Sequence, residues 1–275
     1  MPSQQELYDR IKKHIEAQAN KKSSDIIIQQ ATPQELATAV ISPGTLNCFV
    51  SAALISGNPL QAAVFTAPPS IQGFPTNGNS FIVLSNGNAA VAGNGPACDT
   101  FADTDFGIGP ISPANPLGDP SGVSNAYDVV ALRLVFQLPQ NPGSLLFDWK
   151  LASEEGFPSQ YDYFRANVTT TSSPTPVNIA LFPGGFIANT TNAASVPFLN
   201  CLAGSPLPDI IYDRIVTNVY TASYDLSTFA GQTLTLDLIV GDTFDHIVDT
   251  AALIDNIRIT GCESRGISLN KMSVI

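Results

Sequence analysis

The chain has 275 residues, 44% of them hydrophobic and only 13% charged, with a formal net charge of −11. That composition supports one large β domain or two small ones, and no run nears the roughly eighteen apolar residues of a membrane-spanning helix. The five basic residues Arg10, Lys12, Lys13, Lys21 and Lys22 sit at the start, and beyond Asp25 seven basic residues face nineteen acidic ones; a body this acidic repels phosphate backbones, which argues against nucleic acid as a partner.

Residues 3–20 predict a short amphipathic helix, with Ser3 and Glu6 at capping-box spacing and Leu7, Ile11 and Ile15 on one stripe. A linker, Asn20 to Asp25, leads to the β-branched run Ile26-Ile27-Ile28. Residues 1–30 thus form a helix-and-linker arm, 31–262 the folded body and 263–275 a tail. Thr32, Pro33 and Glu35 start a second short helix that runs through Val40. From about residue 42 the pattern is all-β. Strands are expected at 47–54, 62–66, 80–84, 127–138, 144–152, 162–170, 176–182, 214–224, 232–240 and 250–260. The alternation is plain in Val130, Leu132, Leu134, Phe136 and Leu138, and in Leu145, Phe147, Trp149 and Leu151, which makes Trp149 a core residue. The long Gly/Pro/Asn-rich connection 85–126 reads as functional or partly disordered. Many short strands with such turns imply an all-β, two-sheet sandwich of jelly-roll type with a short N-terminal helical arm.

Chemistry concentrates in Gly241 to Ile259. Asp242, Asp245, Asp249 and Asp255 fall within fourteen residues and run into a strand. Period-two alternation puts Asp255 on the inward, core-facing side with Leu253, Ile257 and Ile259. A carboxylate there needs a cation or several N–H donors. Two readings stand. In the first, these aspartates, with Glu154, Glu155 or Asp162, offer oxygens to calcium. In the second, they cap backbone N–H groups in turns and bridge to Arg165, Arg214 or Arg258. No catalytic residue is assigned. Glu154 and Glu155 are neighbours and point to opposite faces of a strand, and the two histidines, His14 and His246, lie in an arm and a loop. The chain is therefore expected not to be an enzyme. Cys48, Cys98, Cys201 and Cys262 lack zinc-site spacing; their wide, even-numbered distribution suits disulfides, within or between chains, and free thiols are the alternative.

Several segments, read together, carry a resemblance. They are Phe81-Ile82-Val83-Leu84-Ser85-Asn86-Gly87-Asn88-Ala89, Cys98 to Asp105, Tyr127 to Leu132, Leu145 to Pro158 with its Ala152-Ser153-Glu154-Glu155 core, Tyr161 to Ala166, Asn178 to Gly184, Tyr212 to Thr217, and the run from Gly241 to Asp255. In this order they resemble the choice-of-anchor L domain family over roughly residues 32–260. The family usually has Thr where Asn86 stands, and Ser where Thr250 stands. The resemblance implies a β domain of bacterial surface and secreted proteins with no shared catalytic activity.

Met1 to Lys22 has no apolar stretch of the kind a secretion signal carries. A surface-type domain with such a start is expected to reach the spore surface by mother-cell lysis. The expected function is that of a structural subunit self-assembling into a spore-coat or spore-appendage layer or filament. Ile26, Ile27 and Ile28 would add a strand to a neighbour or fold back to close the sheet edge of their own domain, and the partners would be further copies or other surface proteins. The alternative is an extracellular adhesin or carbohydrate-binding module, calcium-dependent if the first reading of the aspartates holds.

Overall fold

A computed structural model describes residues 31–67, 71–94, 104–155, 161–200, 210–244 and 248–264. The arm, including Ile26 to Ile28, lies outside the described residues, as do Cys98, Cys201, Asp245 and His246. The described body is a sandwich of two antiparallel sheets. A five-stranded sheet has the order β1 (Phe49–Ser56), β4 (Ala126–Gln137), β13 (Thr233–Thr243), β6 (Tyr163–Thr170) and β7 (Val177–Asn178). Facing it are β10 (Phe198–Leu199), β11 (Ile215–Thr217), β5 (Ser144–Ser153), β14 (Thr250–Ile259), β3 (Ser80–Ser85) and β2 (Ala62–Thr66), with β12 (Tyr220–Asp225) also on β5. A hairpin of β8 (Leu181–Phe182) and β9 (Phe186–Ile187) stands apart. Successive long strands alternate between the sheets, β4 to β5 to β6 and β13 to β14, which gives the jelly-roll character.

The alternating residues fill the space between the sheets. Leu132, Leu134 and Phe136 of β4, Leu234, Leu236 and Leu238 of β13, and Phe147, Trp149 and Leu151 of β5 form one cluster. Each such side chain contributes roughly 1.5–3 kcal/mol by leaving water. Trp149 lies among Phe164, Phe182 and Tyr220, at centroid distances of 5.3, 5.4 and 5.3 Å. Helix α1 (Pro33–Val40) adds Leu36, Ala37 and Val40 to this core. Its start is the expected capping box: the Thr32 hydroxyl accepts the Glu35 N–H, and the Glu35 carboxylate accepts the Thr32 N–H.

Two expected strands are more broken than alternation suggested. Residues 176–182 form two short pieces around Ala180, and 214–224 divides into β11 and β12. The connection after β3, expected to be functional or partly disordered, is tied to the body in its described part. Of its described residues, 104–125 lie on the outer face of the five-stranded sheet. There Leu117 O accepts from the Tyr163 hydroxyl at 2.6 Å, Gly118 O from Arg165 at 3.1 Å and Pro116 O from Asn167 at 2.8 Å. Asp119 pins the turn by accepting the N–H groups of Ser121, Val123 and Ser124.

The sandwich has two unlike ends. At one, where β1 begins and β14 stops, Cys48 and Cys262 form a disulfide across 214 positions of sequence. At the other, β3, β5 and β13 stop while β6 and β14 begin, and there the carboxylates gather.

Candidate functional site

Glu154, Glu155, Asp162, Asp213, Asp242 and Asp249 at this second end are each no more than 3% exposed. Sequence separations of up to 165 residues collapse here because strand ends from both sheets meet. Asn86 and Thr250 exchange bonds: Asn86 N–H donates to Thr250 O at 3.1 Å, and Thr250 N–H donates to Asn86 Oδ1 at 2.5 Å. The Asn86 amide group donates its other end to Asp162 Oδ2 at 3.3 Å. A threonine has no second polar arm for this, which gives Asn86 a physical role. Asp162 Oδ2 also accepts the Thr250 hydroxyl at 2.8 Å, and Asp162 Oδ1 accepts the Thr243 N–H at 3.1 Å. Ser153 Oγ lies 2.6 Å from Thr250 Oγ1 and accepts the Glu155 N–H. Asp162 therefore ties β3, β13 and β14 to the start of β6.

Asp249 performs a similar task one layer out. Its carboxylate accepts the Thr104 N–H at 3.1 Å and its carbonyl accepts the Glu154 N–H at 3.1 Å. It also rests on Gly87, where a Cβ would fall 1.8 Å from Asp249 Oδ2, so any larger residue must push the carboxylate aside. Glu154 holds the turn before β11: Oε1 accepts the Asp213 N–H at 2.5 Å, and Oε2 is 3.9 Å from Arg214 Nε. Burial is the largest influence on Glu154 and pushes its carboxyl up to about 8, against the Asp213 N–H and Arg214, which pull it down. Tyr212 is sealed beneath, its hydroxyl donating to Asn88 O at 2.8 Å, and burial raises it well above the ordinary phenol value. Segments that carry the family resemblance thus converge on one end: 85–89, 152–155, 161–163, 212–214 and 249–250.

The expected ligand set is not one site. Asp255 is buried, but away from this end and on the other face of its sheet. The cause is a bulge after Asp255, with Asn256 at φ 57°. Leu253 and Asp255 face outward, while Ile257 and Ile259 turn in with Ile254. Asp255 does tie down a loop, though not its own. Its Oδ2 accepts the N–H groups of Thr76 and Asn77 at 2.7 and 2.9 Å, so it anchors the strap 71–79 over the sheet. Burial raises its carboxyl, and these N–H groups partly oppose the rise. Asp148, its direct partner on β5, shares the Thr76 hydroxyl with it and also accepts from Asn256 and Thr221. Beside them Lys150 Nζ donates to Gln72 O at 2.7 Å. Alternation placed Asp148 and Lys150 outward; that the outward face is roofed was not readable from spacing. Among the described residues no group of three or more Asp, Glu, His or Cys side chains is placed to hold a metal ion. Of the arginines expected to pair, Arg214 faces Glu154, whereas Arg165 donates to Asn167 and to Gly118 O.

The carboxylate end also carries a feature that spacing did not reveal. Tyr161 and Phe244 stand at its rim with ring centroids 5.7 Å apart and planes inclined by 38°. Phe244 is 51% exposed and sits at φ 78°, a conformation that a bulky residue rarely adopts. The pair is fixed from below. Tyr161 N–H donates to the Thr243 hydroxyl at 3.1 Å, and Thr243 N–H donates to Asp162. Strain of this kind clusters at binding and switch positions.

No protein-family model matches the chain, and no curated protein matches it. Solved structures do. TmCBM61, determined in complex with β-1,4-galactotriose, is 9% identical and aligns over 78% of this chain and 90% of its own, with a TM-score of 0.34. CBM28, a carbohydrate-binding module specific for non-crystalline cellulose, is 13% identical over 73% of this chain and 80% of its own, at 0.33. A cleaved adhesin domain of Lys-gingipain from Porphyromonas gingivalis is 14% identical over 76% and 98%, at 0.27. Likenesses this loose carry no information about ligand.

Proposed function

We propose that this chain is a non-catalytic surface module that binds carbohydrate at the carboxylate end of its sandwich. The observation that carries the reading is the Tyr161–Phe244 pair, two partly or largely exposed rings in contact, borne on backbone that Thr243 and Asp162 hold. Sugars present one apolar face and a rim of hydroxyls. Rigid aromatic rings stack on the first at low entropic cost, and nearby polar groups address the second. The Cys48–Cys262 disulfide supports an oxidising, extracellular setting. A non-catalytic role is supported by the carboxylates themselves: Glu154 and Asp162 are buried and spend their oxygens on backbone and side-chain donors of the fold. This is also the kind of domain that the family resemblance implies.

The reading is tested by affinity electrophoresis of the full chain through a panel of soluble polysaccharides. At least one should retard it, and Phe244→Ala and Tyr161→Ala should each abolish the retardation while leaving the melting temperature nearly unchanged. Retardation that survives both substitutions, or none with any polysaccharide, contradicts it.

A further inference from the structure

Strand β1 forms one edge of the five-stranded sheet, and among the described residues its only strand neighbour is β4. Native sheets guard such an edge with charge, proline or brevity. The opposite edge is β7, two residues long, and the edges of the facing sheet are β10, two residues, and β2, five. By contrast β1 is eight residues long, and Phe-Val-Ser-Ala-Ala-Leu-Ile-Ser contains no charge and no proline. Val50 is 59% exposed, Ser51 and Ala53 are exposed, and Phe49, Leu54 and Ile55 are half-buried. Bulges at Phe49/Ser51 and Leu54/Ser56 bound a regular central stretch. This is a template for a short added strand.

We infer that β1 receives residues 25–30 of a second copy of this chain. Three observations choose that occupant. Ile26-Ile27-Ile28 is a run of β-branched residues flanked by polar ones, the composition that suits a pleated strand. Alternation would lay Ile26 and Ile28 on one face of the sheet and Ile27 on the other. Next, charge is complementary: residues 1–24 hold five basic and three acidic residues, net +2, while 25–275 hold seven basic and twenty acidic, net −13. Finally, the chain enters α1 in an extended form. Thr32 is extended, at φ −67° and ψ 155°, and pinned by Pro33, and α1 is already packed into the core beside β1. Thirty residues precede Ala31, and fully extended they span roughly 100 Å.

The contact is head-to-tail, because donor and acceptor are different surfaces, so it propagates unless a ring closes. It is independent of the carbohydrate reading, since β1 begins at the disulfide end and none of its residues belongs to the aromatic rim.

The test is light scattering on the full chain across a concentration series, with Ile27→Lys, Ala53→Lys and an equimolar mixture of the two. The wild-type mass should rise above that of one chain as concentration increases. Each variant alone should remain a single chain with the melting temperature of wild type, which separates loss of assembly from a folding defect. The mixture should form two-chain particles and nothing larger, because one variant keeps the arm and the other keeps the edge. Wild type that stays a single chain at every concentration, variants that assemble like wild type, or a mixture that stays monomeric each overturn the inference.

Discussion

The two ends of the sandwich are closed by opposite chemistries. At the disulfide end one covalent bond joins Cys48, before β1, to Cys262, after β14. At the carboxylate end no single contact dominates. Asp162, Asp249 and Glu154 each gather two or three segments through ordinary hydrogen bonds. A disulfide acts largely on the unfolded chain and leaves the native surface plain. A carboxylate network acts in the native state, holds loop backbones in fixed and even strained conformations, and so can display side chains. The Tyr161–Phe244 pair stands where that network ends. On the proposed reading, the disulfide end serves stability and the carboxylate end serves recognition.

The contrast can be broken most heavily at the disulfide. Loop-closure entropy for a 214-residue separation corresponds to roughly 5 kcal/mol, so replacing Cys48 and Cys262 together by Ala should lower stability by about 3–5 kcal/mol in denaturant titration without changing polysaccharide retardation. Asp162→Ala leaves the Thr243 N–H, the Thr250 hydroxyl and the Asn86 amide without their acceptor, at a cost of about 3 kcal/mol. Unlike the cysteine change, it should also weaken retardation, because Thr243 carries the rim.

A pH effect sharpens the same comparison. The folded state lifts Glu154 to about 8 from an ordinary 4.5, so folding takes up a proton between those values. Stability should therefore fall as pH rises through that window, by about 2–4 kcal/mol, and Glu154→Gln should flatten the dependence in melting curves. Asp255, also raised, contributes in the same direction. Smallest is Gly87→Ala, expected to cost about 2 kcal/mol through the clash with Asp249. In the Asp249→Ala background the same change should cost distinctly less, and equal costs in a double-mutant cycle would separate the two residues.

Much of the fold was legible because alternation is a strong signal over long strands. β4, β5 and β13 show it, and the Thr32–Glu35 box marked α1. Two-residue strands such as β9 and β10 are too short for any period. The inward side of Asp255 was misread because one bulge reverses a strand's facing. Its available sign was the Asp255-Asn256 step, since asparagine tolerates positive φ. The acid-rich segments were visible in the sequence, but their convergence depends on which strand ends are neighbours. The aromatic rim was hidden for a different reason. Tyr161 and Phe244 belong to different connections, and nothing local in either marks the other.

The central claim is that recognition belongs to the carboxylate end. Amide chemical-shift mapping of the isotope-labelled full chain, titrated with the oligosaccharide of whichever polysaccharide retards it, tests this most directly. Shifts should concentrate at Tyr161, Thr243 and Phe244, with Asn86 and Thr250 following. Shifts concentrated instead at the disulfide end, around Gln137 to Asn141 and Gly231, or on the open face at Arg133 and Thr235, would contradict it.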